Sequence, residues 1–159
     1  MSEPTIFFDR TFGRRFPEIL KSARPPFVIK THFDERFKDN MPDDEWLSVI
    51  GGKGWFVLSE DSRFHRDSAA LLAIEQFRIG CFYVWSGQLP IWNKVIIFTA
   101  AFSKMRDKMN SVRKPFIFQV AKTGRLRTIR SWDDRQVKKA VRPKSAIEAV
   151  HPDSQRARG

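Results

Sequence analysis

This chain of 159 residues is 42% apolar and 13% aromatic, which predicts one globular domain with a core and argues against a disordered polypeptide. Its single cysteine, Cys81, excludes an internal disulfide framework and predicts a reducing, cytoplasmic location. No leader pattern opens the sequence, and the apolar stretch at 89–102 contains Asn93 and Lys94 and is too short to span a bilayer, so no membrane association is expected.

The positive charge is concentrated in the C-terminal third. The formal net charge is +11, and residues 113–159 hold thirteen Lys and Arg against four Asp and Glu. The preceding residues are nearly balanced. A basic segment of this kind indicates binding to a polyanion such as nucleic acid, and the alternative is a solvated tail that aids solubility.

The order of predicted elements is that of an α/β protein. The first strand is the continuous apolar run at 5–8, which suits a strand buried on both faces and ends at Asp9. A helix is predicted at 11–23, with Pro17 in the first turn of its regular part. The next elements are a strand at 27–29, a loop at 34–41 and a helix that is capped by Asp43 and stops at Gly51-Gly52. They are followed by a strand at 55–58, a helix at 68–77, a strand at 80–85 and a long helix at 91–109.

This alternation predicts a three-layer α/β/α sandwich with a mainly parallel sheet. Two further strands at 116–120 and 126–129, joined by a turn at Gly124, predict a C-terminal β-hairpin. We therefore predict an α/β domain at 1–112, a basic hairpin extension at 113–141 and a disordered tail at 142–159.

Three carboxylates are predicted to meet at one edge of the sheet. Asp9 and Asp61 each follow a buried strand, and Asp43 opens a helix between them. Clustered carboxylates repel unless a cation neutralises them, and an all-oxygen set suits Mg²⁺ or Mn²⁺, which assists phosphodiester cleavage. The alternatives are that Asp43 is a plain N-cap, that Asp61 is an ordinary loop acid, and that Asp9 pairs with Arg10 or Arg14. We interpret His32 and His65 as structural or surface residues.

The segments I-F-F-D-R-T-F-G-R-R at 6–15, P-D-D-E-W-L at 42–47 and G-W-F-V-L-S-E-D at 54–61 resemble the PIN-like nuclease families, and most of all the small group of VapC-type toxins. The resemblance extends over about residues 4–85. It implies a Mg²⁺- or Mn²⁺-dependent endoribonuclease in which Asp9, Asp43 and Asp61 hold the metal and catalyse the reaction. It further implies RNA as substrate and an antitoxin protein as partner.

The sequence departs from that family pattern at two places. Many relatives carry an acid where Arg63 stands here, and no clear match to a fourth acid is found. Asp67, Asp44 or Glu45 are the candidates to replace it. The alternative function is therefore a non-catalytic module on the same fold that binds RNA or a protein partner.

The predicted nucleic-acid-binding residues are all basic, namely Arg10, Arg14, Lys122, Arg125, Arg127 and Arg130. The long helix from Ile91 would either form a homodimer or cover the sheet.

A phosphatase of the haloacid-dehalogenase type and a receiver domain also place Asp after a first buried strand. We rank both low, because the phosphatase pattern requires an acid where Thr11 stands and the receiver pattern requires an acid pair before the first helix.

Overall fold

The computed structural model describes residues 3–132, apart from the side chains of residues 64 and 65. The predicted tail at 142–159 and the last part of the predicted hairpin segment, 133–141, lie outside the described residues. The interpretation of the His65 side chain lies outside them as well.

The described chain folds into ten regular elements in the predicted order. They are β1 (Thr5–Phe8), α1 (Arg15–Ser22), β2 (Val28–Thr31), α2 (Asp43–Lys53), β3 (Phe56–Ser59), α3 (Ser68–Gln76), β4 (Gly80–Val84), α4 (Ile91–Ser111), β5 (Phe116–Val120) and β6 (Leu126–Ser131). Short 3-10 helices at Arg10–Phe12 and Ser62–His65 follow β1 and β3.

The strands form one six-stranded sheet in the order β2-β1-β3-β4-β5-β6. The first five strands are parallel, and β6 pairs antiparallel with β5. The predicted hairpin is therefore β5–β6, and because β5 pairs with β4 the hairpin completes the same sheet. The mainly parallel α/β fold with a C-terminal hairpin is confirmed.

Two apolar clusters cover the two faces of the sheet and make the three layers. Successive residues of β1 point to opposite faces, so Phe8 packs with Phe16 of α1 and Phe98 of α4, while Phe7 packs against Trp46 of α2. Each such fully buried aromatic side chain stabilises the fold by about 2 to 3 kcal/mol. The apolar clusters on both faces of the sheet therefore hold in place the edge at which Asp9 and Asp61 lie.

The segment predicted as a single helix at 11–23 is interrupted. The 3-10 turn Arg10–Phe12 ends at Gly13, whose φ of +65° is readily adopted by glycine and cannot continue a helix. The regular helix α1 begins at Arg15, so Pro17 does lie in its first turn, as predicted. Ile19, expected on the apolar face, is 44% exposed.

The prediction that Asp43 caps α2 was wrong. Pro42 occupies the N-cap position with extended backbone, and Asp43 is the first residue of the helix. Its carboxylate accepts a hydrogen bond at 2.9 Å from Nε1 of Trp46, because the buried indole N–H needs a partner. Asp43 still lies at the positive end of the helix dipole.

Within residues 3–132, no helix has the combination of length and apolar character needed to cross a membrane.

Candidate functional site

Asp9 is a buried carboxylate at the carboxyl end of β1. It is 7% exposed, and its Oδ1 accepts hydrogen bonds from the backbone N–H of Thr11 at 3.1 Å and from the Thr11 hydroxyl. Burial raises the pKa of Asp9 to about 6, although hydrogen bonds from Ser59 and Thr11 lower it. The nearby charge of Glu60 raises the pKa further. Asp9 therefore carries a charge at neutral pH in a place that disfavours charge.

Neither nearby arginine neutralises Asp9. Arg10 donates from Nη1 to the backbone oxygen of Asp39, and the guanidinium of Arg14 lies 4.0 Å from the centre of the Phe33 ring. Within residues 3–132, no lysine or arginine forms an ion pair with Asp9. The alternative that Asp9 is merely one half of an ion pair is not what the structure shows.

Asp61 follows β3 and begins the 3-10 helix Ser62–His65. It accepts a hydrogen bond from the backbone N–H of Arg63 at 2.9 Å, which is the geometry of a helix cap. The Arg63 side chain also donates to it, with Nε to Oδ1 at 3.3 Å, although Arg63 itself is 87% exposed. An exposed pair of this kind is weak and open to exchange with another cation.

Asp9, Asp43 and Asp61 line one cavity of about 500 Å³, which we call the acidic cavity. The cavity is also lined by a fourth acid, Asp67, and by basic, polar and aromatic side chains, namely Phe7, Arg10, Thr11, His32, Trp46 and Arg63. The structure thus brings together the three predicted acids and Arg10. It places Arg14, Lys122, Arg125, Arg127 and Arg130 outside this cavity.

Of the three candidates for a fourth acid, Asp67 lines the acidic cavity. It also caps α3, since its carboxylate accepts a hydrogen bond at 3.3 Å from the backbone N–H of Ala70. Asp44 is exposed on α2, and Glu45 lines a different cavity. Asp67 is therefore the one of the three whose position suits the role.

The donor chemistry of the acidic cavity fits a hard divalent cation. Four carboxylates line it, those of Asp9, Asp43, Asp61 and Asp67, and the most buried of them, Asp9, has no cationic partner in the described chain. In residues 3–132, however, no group of three or more His, Cys, Asp or Glu side chains is placed to hold a metal ion as it stands. In the structure, the carboxylates of Asp43 and Asp61 are bound instead by Trp46 and Arg63.

His32 is a residue of this cavity that the sequence interpretation underrated. It is 4% exposed, and its Nε2 has no hydrogen-bond partner among the described residues. Burial and the charge of Arg10 lower its pKa, so the imidazole is neutral at pH 7. The signal was available, because His32 directly follows β2 and so lies at the same sheet edge as Asp9.

Glu60 was also missed. It lies one residue after β3, and its carboxylate accepts hydrogen bonds from Lys94 Nζ of α4 at 3.1 Å and from Ser86 Oγ at 2.9 Å. The Glu60 and Lys94 side chains are 6% and 11% exposed. This buried ion pair ties the end of β3 to α4 beside Asp9. Nothing in the sequence around Lys94 indicates its partner.

Two basic residues of the hairpin pack over tryptophan rings, of which Trp85 is half exposed and Trp132 is partly buried. Lys122 Nζ lies 4.2 Å from the centre of the Trp85 ring, and the Arg130 guanidinium lies 4.6 Å from that of Trp132. Arg125 and Arg127 are exposed. Lys122 and Arg127 border two further cavities that share Trp85.

Comparison with known proteins identifies one family. A family model described as "PIN like domain" matches residues 4–86, just over half of the 159 residues. The match includes Asp9, Asp43, Asp61, His32 and Glu60. No curated protein and no solved structure matches this chain.

Proposed function

Because the chain belongs to the PIN-like domain family, we propose that it is a metal-dependent endoribonuclease that hydrolyses phosphodiester bonds. The PIN-like fold is a nuclease-type fold. The single observation that supports a working site is Asp9, a buried carboxylate that has no cationic partner within residues 3–132 and shares a cavity with Asp43 and Asp61. A charge placed in this way is expensive unless the site binds a cation.

The residues that would hold Mg²⁺ or Mn²⁺ are Asp9, Asp43 and Asp61. When bound, such an ion activates water and neutralises the charge that develops on the phosphodiester. Thr11 and Ser59 fix the Asp9 carboxylate through hydrogen bonds. The Asp67 carboxylate and the neutral His32 imidazole also line the cavity and offer further acceptors.

The chain's own cations would bind the RNA backbone. Arg10 lines the acidic cavity itself, where its guanidinium can bind a phosphate. We assign Arg14, Lys122, Arg125, Arg127 and Arg130 to phosphates farther along the strand, since all five are exposed. The likeness of the three acidic segments to VapC-type toxins supports a role as the toxin of a toxin–antitoxin pair, with an antitoxin protein as partner.

The test is cleavage of a single-stranded RNA in Mg²⁺ or Mn²⁺ by the full chain. Asp9→Asn should abolish cleavage, because the amide cannot balance the charge of a cation. Asp44→Asn is the matched control, since Asp44 is an exposed acid that follows Asp43 on the same helix, and it should cleave at the wild-type rate. Retained cleavage in Asp9→Asn rules out the assignment of Asp9 as a metal ligand.

One observation favours the alternative, a non-catalytic module that binds RNA or a protein partner. Arg63 stands beside Asp61 in the acidic cavity and supplies the positive charge that a metal would supply. On this alternative, salt-sensitive RNA binding survives in Asp9→Asn, and no cleavage is found with either metal in the wild-type chain.

A further inference from the structure

A second cavity lies beside the acidic cavity and has the opposite charge. It has a volume of about 510 Å³ and is lined by Ser62, Arg66, Tyr83, Trp85, Gln119, Arg127, Thr128 and Ile129. We call it the basic cleft. None of these lining residues is an aspartate or glutamate, and two of them are exposed arginines. The basic cleft therefore favours an anion.

The sheet itself forms the floor of the basic cleft. Tyr83 of β4 pairs in register with Gln119 of β5, which pairs with Arg127 of β6, so the three side chains lie on one face. On the same face, Cys81 and Ile117 pack in the core cluster under α2 and α3. Two residues farther on, Tyr83 and Gln119 line the cleft instead, with Tyr83 itself 4% exposed.

Trp85 supplies a flat apolar surface at the rim. Its side chain is 50% exposed, which is unusual for a large aromatic residue of a single domain. Lys122 packs over the ring at 4.2 Å and borders the neighbouring cavity, not the basic cleft. Trp85 itself lines both cavities and is half exposed, so its ring is accessible to a second planar group that enters the basic cleft.

The 3-10 helix Ser62–His65 separates the two cavities. Asp61 and Arg63 line the acidic cavity, whereas Ser62 and Arg66 line the basic cleft. A chain of phosphates that leaves the acidic cavity over this wall next meets Arg66 and Arg127. An aromatic platform flanked by cations is the combination that binds single-stranded nucleic acid, since bases stack while phosphates pair with the cations.

We propose that the basic cleft is a subsite for single-stranded RNA, in which a base stacks on Trp85 and the adjoining phosphates bind Arg66 and Arg127. This inference rests on the proposed function, because it places the substrate strand next to the cleavage site. It assigns to Trp85 and Arg66 a role that the acidic site does not require.

The test measures binding without cleavage. A labelled single-stranded RNA of about eight nucleotides is titrated with the full chain in EDTA. Trp85→Ala should weaken binding about tenfold to hundredfold, and Trp85→Phe should restore most of it. Arg127→Gln should weaken binding and reduce the salt dependence by about one released counterion. The matched controls are Trp92→Ala, a tryptophan 72% exposed on α4, and Arg106→Gln, an exposed arginine on the same helix; both should bind within twofold of wild type.

A second readout reports stacking itself. An RNA that carries 2-aminopurine should lose fluorescence on binding to the wild-type chain and to Trp92→Ala, but not on binding to Trp85→Ala. Binding by Trp85→Ala within twofold of wild type, or equal weakening by Trp92→Ala, overturns the inference. Absence of metal-dependent cleavage together with Trp85-dependent stacking would contradict the proposed catalysis and leave this subsite standing. Cleavage that is intact in Trp85→Ala, with unchanged binding, would contradict the subsite alone.

Discussion

Replacing Asp9 with asparagine removes a charge that the fold holds in an unfavourable place. The pKa of this carboxyl is raised from 3.8 to about 6 by burial. A tenfold change in proton affinity corresponds to about 1.4 kcal/mol, so above pH 6 the buried charge destabilises the fold by about 3 kcal/mol. Burial raises the pKa of Asp9 in the folded state only. The contribution of this carboxyl group to the free energy of unfolding is therefore fully present below pH 3.8 and is lost as the pH rises through about 6.

Asp9→Asn should therefore be more stable than wild type at pH 8 when no divalent cation is present. The amide oxygen can still accept the hydrogen bond from the Thr11 backbone, and any loss of side-chain hydrogen bonds subtracts about 1 kcal/mol at every pH. The difference between variant and wild type should thus grow by about 2 to 2.5 kcal/mol from pH 4 to pH 8.

Urea unfolding in EDTA across this pH range measures the difference directly. Asp44→Asn, which changes an exposed acid, should follow the wild-type profile throughout. Parallel profiles for wild type and Asp9→Asn between pH 4 and pH 8 would refute the claim that Asp9 is buried as a charge without a counterion.

Three further predictions follow from local contacts. Gly80→Ala should lower the free energy of unfolding by about 1 to 3 kcal/mol, because the added Cβ would lie 2.6 Å from the Phe116 ring. Gly52→Ala, which has open space around it, should not lower it. Equal urea midpoints for the two variants would contradict this prediction. Lys94→Ala should destabilise the fold by about 3 to 5 kcal/mol because Glu60 is left buried without its partner, and a Glu60→Gln/Lys94→Met double variant should recover most of the loss in the same assay. Mn²⁺ should raise the melting temperature more in Arg63→Asp than in wild type, and by an intermediate amount in Arg63→Gln, because Arg63 competes with the metal for Asp61. A wild-type response in both variants would show that Arg63 does not compete with the metal.

The elements that the sequence predicted well are those whose pattern is local. The continuous apolar run of β1 predicted a strand buried on both faces, and the alternation of strands with helices predicted a parallel sheet. The interruption at Gly13 was missed, because the apolar residues on either side keep a helical spacing. The pairing of β5 with β4 depends on α4, which forms the crossover between them. No local pattern in the sequence predicts this pairing.

The acidic cavity was predictable in part. The rule that parallel strands end at one edge was sufficient to associate Asp9 with Asp61, and the cavity contains both. His32 follows the same rule, but it was interpreted as a structural or surface residue because no second zinc ligand lies near it in the sequence. The partners of Asp43 and Glu60 are Trp46 and Lys94, and the second pair spans 34 positions, so it becomes visible only in the fold.

Metal occupancy beside Asp9 tests the central claim most directly. A crystal of the full chain grown with Mn²⁺ should show an anomalous peak at coordination distance from the Asp9 carboxylate, with the side chains of Asp43 and Asp61 turned toward it. Asp9→Asn crystals grown in the same way should lack the peak, and Asp44→Asn crystals should keep it. An acidic cavity without an anomalous peak in the wild-type crystal, with Asp61 still bound to Arg63, would contradict the account.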